Sequence, residues 1–161
     1  MRGRRRSLVT GLLLLAVMAL IFAFSEQPAE ASSRTSGWVT ALLLRLLAPS
    51  FAAWNPLRQQ SFLERLGPLV RKLAHFTEFM LLGMAAALHL APRRMFGLRA
   101  WGLAALYAVT DEVHQHFVEG RAPAGTDVLI DSAGALAGVL VMGALLALTK
   151  RRAAGYNEAA D

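Results

Sequence analysis

Cysteine is absent from this sequence. Disulfides, thiolate metal sites and a cysteine nucleophile are therefore excluded. Charge is scarce too: Asp, Glu, Lys and Arg make up 17% of the residues, where soluble domains carry about 25%. The acidic sign is the scarcer one, with 11 acidic against 17 basic residues and a formal net charge of +6. In a soluble protein that balance would suggest nucleic acid. Aromatic and basic side chains are not interleaved here as single-strand binders require, so no nucleic-acid partner is expected. Also missing are G-x-S-x-G, H-E-x-x-H and a phosphate loop, which removes the familiar serine-hydrolase, zinc-protease and nucleotide-binding chemistries.

What is present is apolar residue in blocks. Hydrophobic residues reach 55% of the 161 positions, and their clustering separates a membrane protein from a soluble one with a large core. Four runs fit spans at about 8–24, 69–91, 97–117 and 128–148. The first follows the basic start MRGRRRS and precedes Ala29-Glu30-Ala31, which also fits a signal-peptide cleavage site. Its apolar core is longer than the usual 7–15 residues of a signal, so a retained first helix is expected. Residues 25–68 read as an extracytoplasmic or interfacial segment. Trp38, Leu42, Leu43, Leu46 and Leu47 recur at helical spacing before Pro49 and suit a short helix lying in the interface. Phe62, Leu63 and Leu66 suggest another short surface helix. Residues 153–161 read as a disordered tail.

Orientation follows from arginine and lysine. An N-terminus in the cytoplasm places Arg2, Arg4, Arg5, Arg6, Arg93, Arg94, Arg99, Lys150, Arg151 and Arg152 inside, with Arg121 alone in the short outer loop. The expected architecture is an all-α integral membrane four-helix bundle, N-in and C-in, with short interfacial helices between spans 1 and 2.

Two polar clusters interrupt the apolar runs. Lys72, His75 and Glu78 step by three along one run, and TDEVHQHFVEGRAPAGTDVLID occupies residues 110–131. Ionisable groups cost about 2.5–3.5 kcal/mol each at the centre of a membrane helix, so their presence points to a role. At 1.5 Å per residue from the basic inner boundaries, Glu78 lies ~22 Å up, His75 ~27 Å, Asp111 ~18 Å, Gln115 ~24 Å and Asp131 ~28 Å. All fall in the outer half of a hydrocarbon core about 30 Å thick. The binding candidates are Lys72, His75, Glu78, Asp111, Glu112, Gln115, Arg121, Asp127 and Asp131. His75, Glu78, Asp111 and Glu112 are the candidates for any acid–base catalysis. Gly134 and Gly138 form a G-x-x-x-G element that allows close helix approach.

Structural readings compete with these. Asp127 could simply cap the last helix, with Thr126 sharing the task, and Arg71 and Lys72 could snorkel to the interface. His89 reads as an isolated interfacial histidine, and His114 faces away from Asp111 and Gln115. An ion network could merely hold the helices together. His75-x-x-Glu78 and Glu112-x-x-x-His116 could supply metal ligands, but both spacings are common by chance, and neither a metal nor another cofactor is expected.

At these residues the chain resembles the VanZ-like family of small bacterial membrane proteins. Phe24-Ser25-Glu26-Gln27-Pro28 with Ser32, Ser33 and Ser36 is similar to its serine-rich segment. Arg71-Lys72-Leu73-Ala74-His75-Phe76-Thr77-Glu78-Phe79 is similar to its RK-x-x-HF helix. Asp111-Glu112, Gln115, Gly120-Arg121, Asp127, Asp131 and Gly134 are similar to its DE-x-x-Q…GR…D signature. Departures are Glu26, Phe79 and Asp131, where serine, tyrosine and asparagine are common, and a longer insertion at 38–54.

The resemblance implies a multi-pass plasma-membrane protein of the cell envelope, in a family named for low-level teicoplanin resistance. The expected function is non-enzymatic: an outer-facing polar pocket binding a lipid or peptidoglycan-precursor head group, or a glycopeptide, and contributing to antibiotic tolerance. The alternative is a membrane enzyme doing acid–base chemistry on a lipid-linked phosphate or sugar. Expected partners are membrane lipids and a lipid-linked cell-wall precursor or glycopeptide.

Overall fold

The computed structural model describes residues 2–91, 93–122 and 124–158, and among them every regular element is helical. Five α-helices occur in the order α1 (Arg2–Ser25), α2 (Ala29–Leu47), α3 (Pro56–Leu90), α4 (Phe96–Gln115) and α5 (Gly125–Glu158), with a 3₁₀ turn at Pro49–Ala53. Three of them, α1, α3 and α5, are long and apolar enough to cross a membrane. α4 has 20 residues but carries Arg99, Asp111 and Glu112.

α1 is apolar on every side, yet among its described residues only Thr10, Leu14, Ile21 and Ser25 are buried. They form one stripe at helical period, against which α3 and α4 pack. Leu8, Val9, Leu12, Leu13, Leu15, Leu20 and Phe22 remain exposed, the pattern of a helix whose outer face meets lipid rather than water.

The helices alternate in direction. Thr10 of α1 meets His89 near the end of α3, while Met18 meets Tyr107 and Ser25 meets Gln115 of α4. α1 therefore runs antiparallel to α3 and parallel to α4. On the other side, Gly134 faces Phe76 and Gly138 faces Met80, so α3 and α5 run parallel. Any Cβ at Gly83, Gly134 or Gly138 would collide with backbone of the facing helix, and these glycines let α3 and α5 touch main chain to main chain. Ala85, Ala86, Ala87, Ala100, Ala104, Ala108 and Ala135 continue this small-residue core, with Phe79 and Leu82 as its large members. α3 is the hub: it packs against α1, α2, α4 and α5.

Three boundary expectations change. The segment before the second span is not a set of short helices. α2 begins at Ala29 and packs on α3, and α3 itself starts at Pro56, well before residue 69. Asn55 caps it, its Oδ1 accepting from Arg58 N at 2.8 Å, with Pro56 in the first turn where a missing N–H costs nothing. Pro68 lies inside this helix. Proline removes one backbone bond, about 3 kcal/mol in a helix interior, and the good helix formers of Arg58–Leu66 sustain the helix around it. At the other end, α5 runs through Glu158 in place of a disordered tail from 153, because Lys150, Arg151, Ala153 and Ala154 are strong helix formers. Residues 159–161 lie outside the described ones.

Trp54, Phe51 and Phe62 cluster at the start of α3, and the Arg58 guanidinium sits 4.0 Å over the Trp54 ring. Such an aromatic–cation group suits a membrane interface.

Candidate polar site

The end of the bundle where α1 finishes and α5 begins gathers the ionisable residues. α3 contributes Arg71, Lys72, His75 and Glu78, α4 Asp111, Glu112 and Gln115, α5 Asp127 and Asp131, and the connection 116–124 Arg121. A helical step of three or four residues points each set toward the bundle axis.

At the centre, ligand-capable atoms of His75, Asp111 and Asp131 lie within 4.8 Å of one another, one residue from each of α3, α4 and α5. Asp111 and Asp131 are 4% and 2% exposed. Asp111 Oδ2 accepts from Gln115 Nε2 at 2.8 Å, and Gln115 Oε1 accepts from Arg121 Nη1 at 3.0 Å. Gln115 thus couples a guanidinium to a carboxylate that the guanidinium does not touch. Asp131 Oδ1 and His75 Nδ1 are buried without a hydrogen-bond partner among the described residues. Glu78 Oε2 stands 4.0 Å from His75 Nδ1, beyond hydrogen-bond range.

Arg121 is fixed by main-chain carbonyls at the end of α1. Its Nε donates to Gln27 O at 3.2 Å and its Nη2 to Phe24 O at 3.4 Å. Burial, then the Arg71 charge, lowers its pKa from the ordinary arginine value, though a guanidinium stays protonated in proteins. Gly120 (φ 72°) turns the chain just before it, in the left-handed region where glycine carries no Cβ penalty. Ala29 N donates to Glu119 O at 3.2 Å, which ties this loop to the start of α2.

A cavity of about 160 Å³ opens beside the cluster, lined by Ser32, Ser36, Arg71, His75, Glu78 and Arg121 among others. Arg71 Nη2 donates to Ser33 Oγ at 2.9 Å, while its Nε is buried and unpartnered among the described residues. Ser36 and Thr40 donate to carbonyls one turn back, at 3.0 and 2.6 Å. Their oxygens keep accepting capacity for a neighbour.

The expected candidates thus divide. His75, Glu78, Asp111, Gln115, Arg121 and Asp131 surround the cluster and its cavity. Glu112 shares their height but turns to the loop, where its Oε1 accepts from Ala124 N. Asp127 and Lys72 form a separate, partly exposed pair at 3.4 Å. Asp127 lies within the first turn of α5, which starts at Gly125, so it is not the cap residue. His114 stacks on Phe22 with ring centroids 4.6 Å apart, away from the cluster as expected. His89 is not isolated: its Nδ1 is 3.0 Å from Thr10 Oγ1. Arg71, Ser25 and the serines of α2 join the site beyond the expected candidates, and their signal in the sequence is the serine-rich segment and the Arg71-Lys72 pair that carry the family resemblance.

A family model described as VanZ/LLP1 matches residues 10–147. The chain belongs to the VanZ/LLP1 family. No curated protein and no solved structure matches it significantly. The VanZ/LLP1 match covers every helix that contributes to the cluster, and with the apolar helices it makes this a membrane protein.

Proposed function

We propose that this VanZ-like protein crosses the plasma membrane four times, N-in and C-in, and that its polar cavity opens toward the extracytoplasmic leaflet to bind an anionic head group. The occupant is a membrane lipid or a lipid-linked cell-wall precursor, and by holding it the protein contributes to glycopeptide tolerance of the teicoplanin type. One observation carries the reading: Arg71 and Arg121 line a cavity that also offers serine hydroxyls, and Arg71 Nε has no partner among the described residues. Guanidinium pairs recognise phosphate in a fixed fork geometry. The alternating helix directions, with α4's carboxylates turned inward, support the fourth span. The basic residues at the opposite end support the orientation.

The test is binding of a polyprenyl diphosphate or phosphatidylglycerol to the purified chain in nanodiscs. Arg71→Ala and Arg121→Ala should each weaken binding of a phosphate-bearing lipid by about tenfold or more, as expected for a charged hydrogen bond of 1.5–3 kcal/mol. Equal binding by wild type and both variants, or unchanged teicoplanin tolerance on deletion and overexpression, would reject the reading.

A second reading, enzymatic turnover of a lipid-linked phosphate or sugar, is favoured by the His75–Asp111–Asp131 cluster beside the cavity. Labelled envelope lipids incubated with the protein, with and without divalent metals, decide it. Absence of any product would remove the enzyme.

A further inference from the structure

Two carboxylates buried side by side in an apolar bundle cannot both stay ionised without a compensating positive charge. Leaving each ionised and unpaired costs several kcal/mol. The Arg121 guanidinium reaches Asp111 only through Gln115. Lys72 is committed to Asp127. Asp131, 2% exposed, has no cation within salt-bridge range among the described residues, and its Oδ1 lacks any hydrogen bond.

We propose that His75, Asp111 and Asp131 form a three-ligand site for one divalent transition-metal ion. The donor set is an imidazole nitrogen and two carboxylate oxygens, from three helices. It suits Zn²⁺ or Mn²⁺ better than a hard cation such as Mg²⁺, which favours oxygen alone. Two charges on the ion cancel those of Asp111 and Asp131.

The geometry is near what an ion needs. The ligand atoms lie within 4.8 Å of each other. A tetrahedral zinc site with bonds of about 2.0–2.1 Å brings its ligand atoms to about 3.3 Å. Small side-chain rotations close that gap. His75 Nδ1 and Asp131 Oδ1, both buried without a hydrogen bond among the described residues, are free to serve as ligands.

An outer shell is in place as well. Gln115 holds Asp111 Oδ2, and Arg121 holds Gln115, which orients the carboxylate as outer-shell partners do at metal sites. His75 also lines the cavity, so the ion has an entry path and keeps open coordination positions on that side. There it would meet the oxygen of an anionic head group flanked by Arg71 and Arg121. Only this last step rests on the head-group reading; the metal site stands on its own.

The experiment uses the full chain in maltoside detergent, washed with chelator and free of phosphate and added lipid. Zn²⁺ is titrated by calorimetry, bound metal is counted by mass spectrometry, and Mn²⁺ is followed by its electron spin resonance. About one ion per chain should bind and raise the melting temperature, since metal binding couples to folding. His75→Gln and Asp131→Asn should each weaken Zn²⁺ binding by more than about 100-fold, and Gln115→Ala by about 10–100-fold as an outer-shell partner. His89→Ala, at the far end of α3, should leave it unchanged.

Asp131→Asn removes the need either to bury a charge beside Asp111 or to take up a proton there, so the metal-free variant should melt no lower than the wild type. Loss of the zinc-induced shift then cannot be ascribed to misfolding. Absence of a stoichiometric ion, or equal Zn²⁺ binding by wild type and Asp131→Asn, overturns the proposal. Phosphate-lipid binding is measured separately in chelator with Arg71→Ala. Zinc binding without lipid binding would reject only the head-group reading, and lipid binding without zinc binding would reject only the metal site.

Discussion

The two ends of the bundle solve the problem of polarity in opposite ways. Toward the start of α1 and the end of α3, the buried polar groups are few and paired: Thr10 Oγ1 donates to Arg6 O and meets His89 Nδ1. Alanine and glycine fill the space between helices. At the other end, His75, Glu78, Asp111 and Asp131 crowd together, and two of them leave buried atoms unpaired among the described residues. A bundle built only for stability would make both ends like the first. The contrast marks the second end as the one whose polar groups packing alone does not satisfy, and the tight packing below it offsets the cost.

That division of labour can be broken first at the packing. Gly138→Val places branched carbon against the backbone of Met80 and Met84. Backbone cannot yield as a side chain can, so folding should be lost or destabilised beyond the usual 1–3 kcal/mol of overpacking. Detergent melting and expression level read this out.

The next effect should have the opposite sign. Asp131→Asn at the crowded end should stabilise chelator-washed protein by about 1–3 kcal/mol, because the wild type must either bury a charge beside Asp111 or take up a proton to avoid it. A melting temperature below wild type would show that the carboxylate is a structural partner, and the contrast between the ends would fail.

Tyr107→Phe sharpens the comparison at mid-bundle. The hydroxyl donates to Met18 O at 2.7 Å and pins α1 to α4. Its loss should cost about 0.5–1.5 kcal/mol, seen as a lower melting temperature with phosphate-lipid affinity unchanged. Smallest should be Lys72→Met. The Lys72–Asp127 pair is partly exposed, where ion pairs contribute about 0–1 kcal/mol, so melting should barely move.

Much of this arrangement could be read from the chain, and the gaps have physical causes. Apolar run length marked α1, α3 and α5, and the glycine pair at 134 and 138 marked a close helix contact. The height estimate grouped His75, Asp111 and Asp131, which the fold does bring together. Height carries no azimuth, however. Glu112 and Asp127 share the layer and turn elsewhere, one to Ala124 N and the other to Lys72. Proline 68 looked like a boundary because its local penalty is legible, while the helix formers on either side act only in sum. The role of α2 was hidden for another reason: serine hydroxyls that bond their own helix look like ordinary surface residues until the facing helix is known. The pairing of His89 with Thr10 spans most of the chain and leaves no local pattern at all.

The backbone contact along Gly83, Gly134 and Gly138 has a mechanical consequence. α3 and α5 are locked like two halves of a clasp, so neither can swing aside to admit a guest. Whatever yielding the cavity does must come from its rim, where α2 and the Arg121 loop are tied down by Ala29–Glu119, Arg71–Ser33 and Arg121 to the end of α1. On the head-group reading, capture and release would be governed by these few hydrogen bonds at the margin, while the floor stays put.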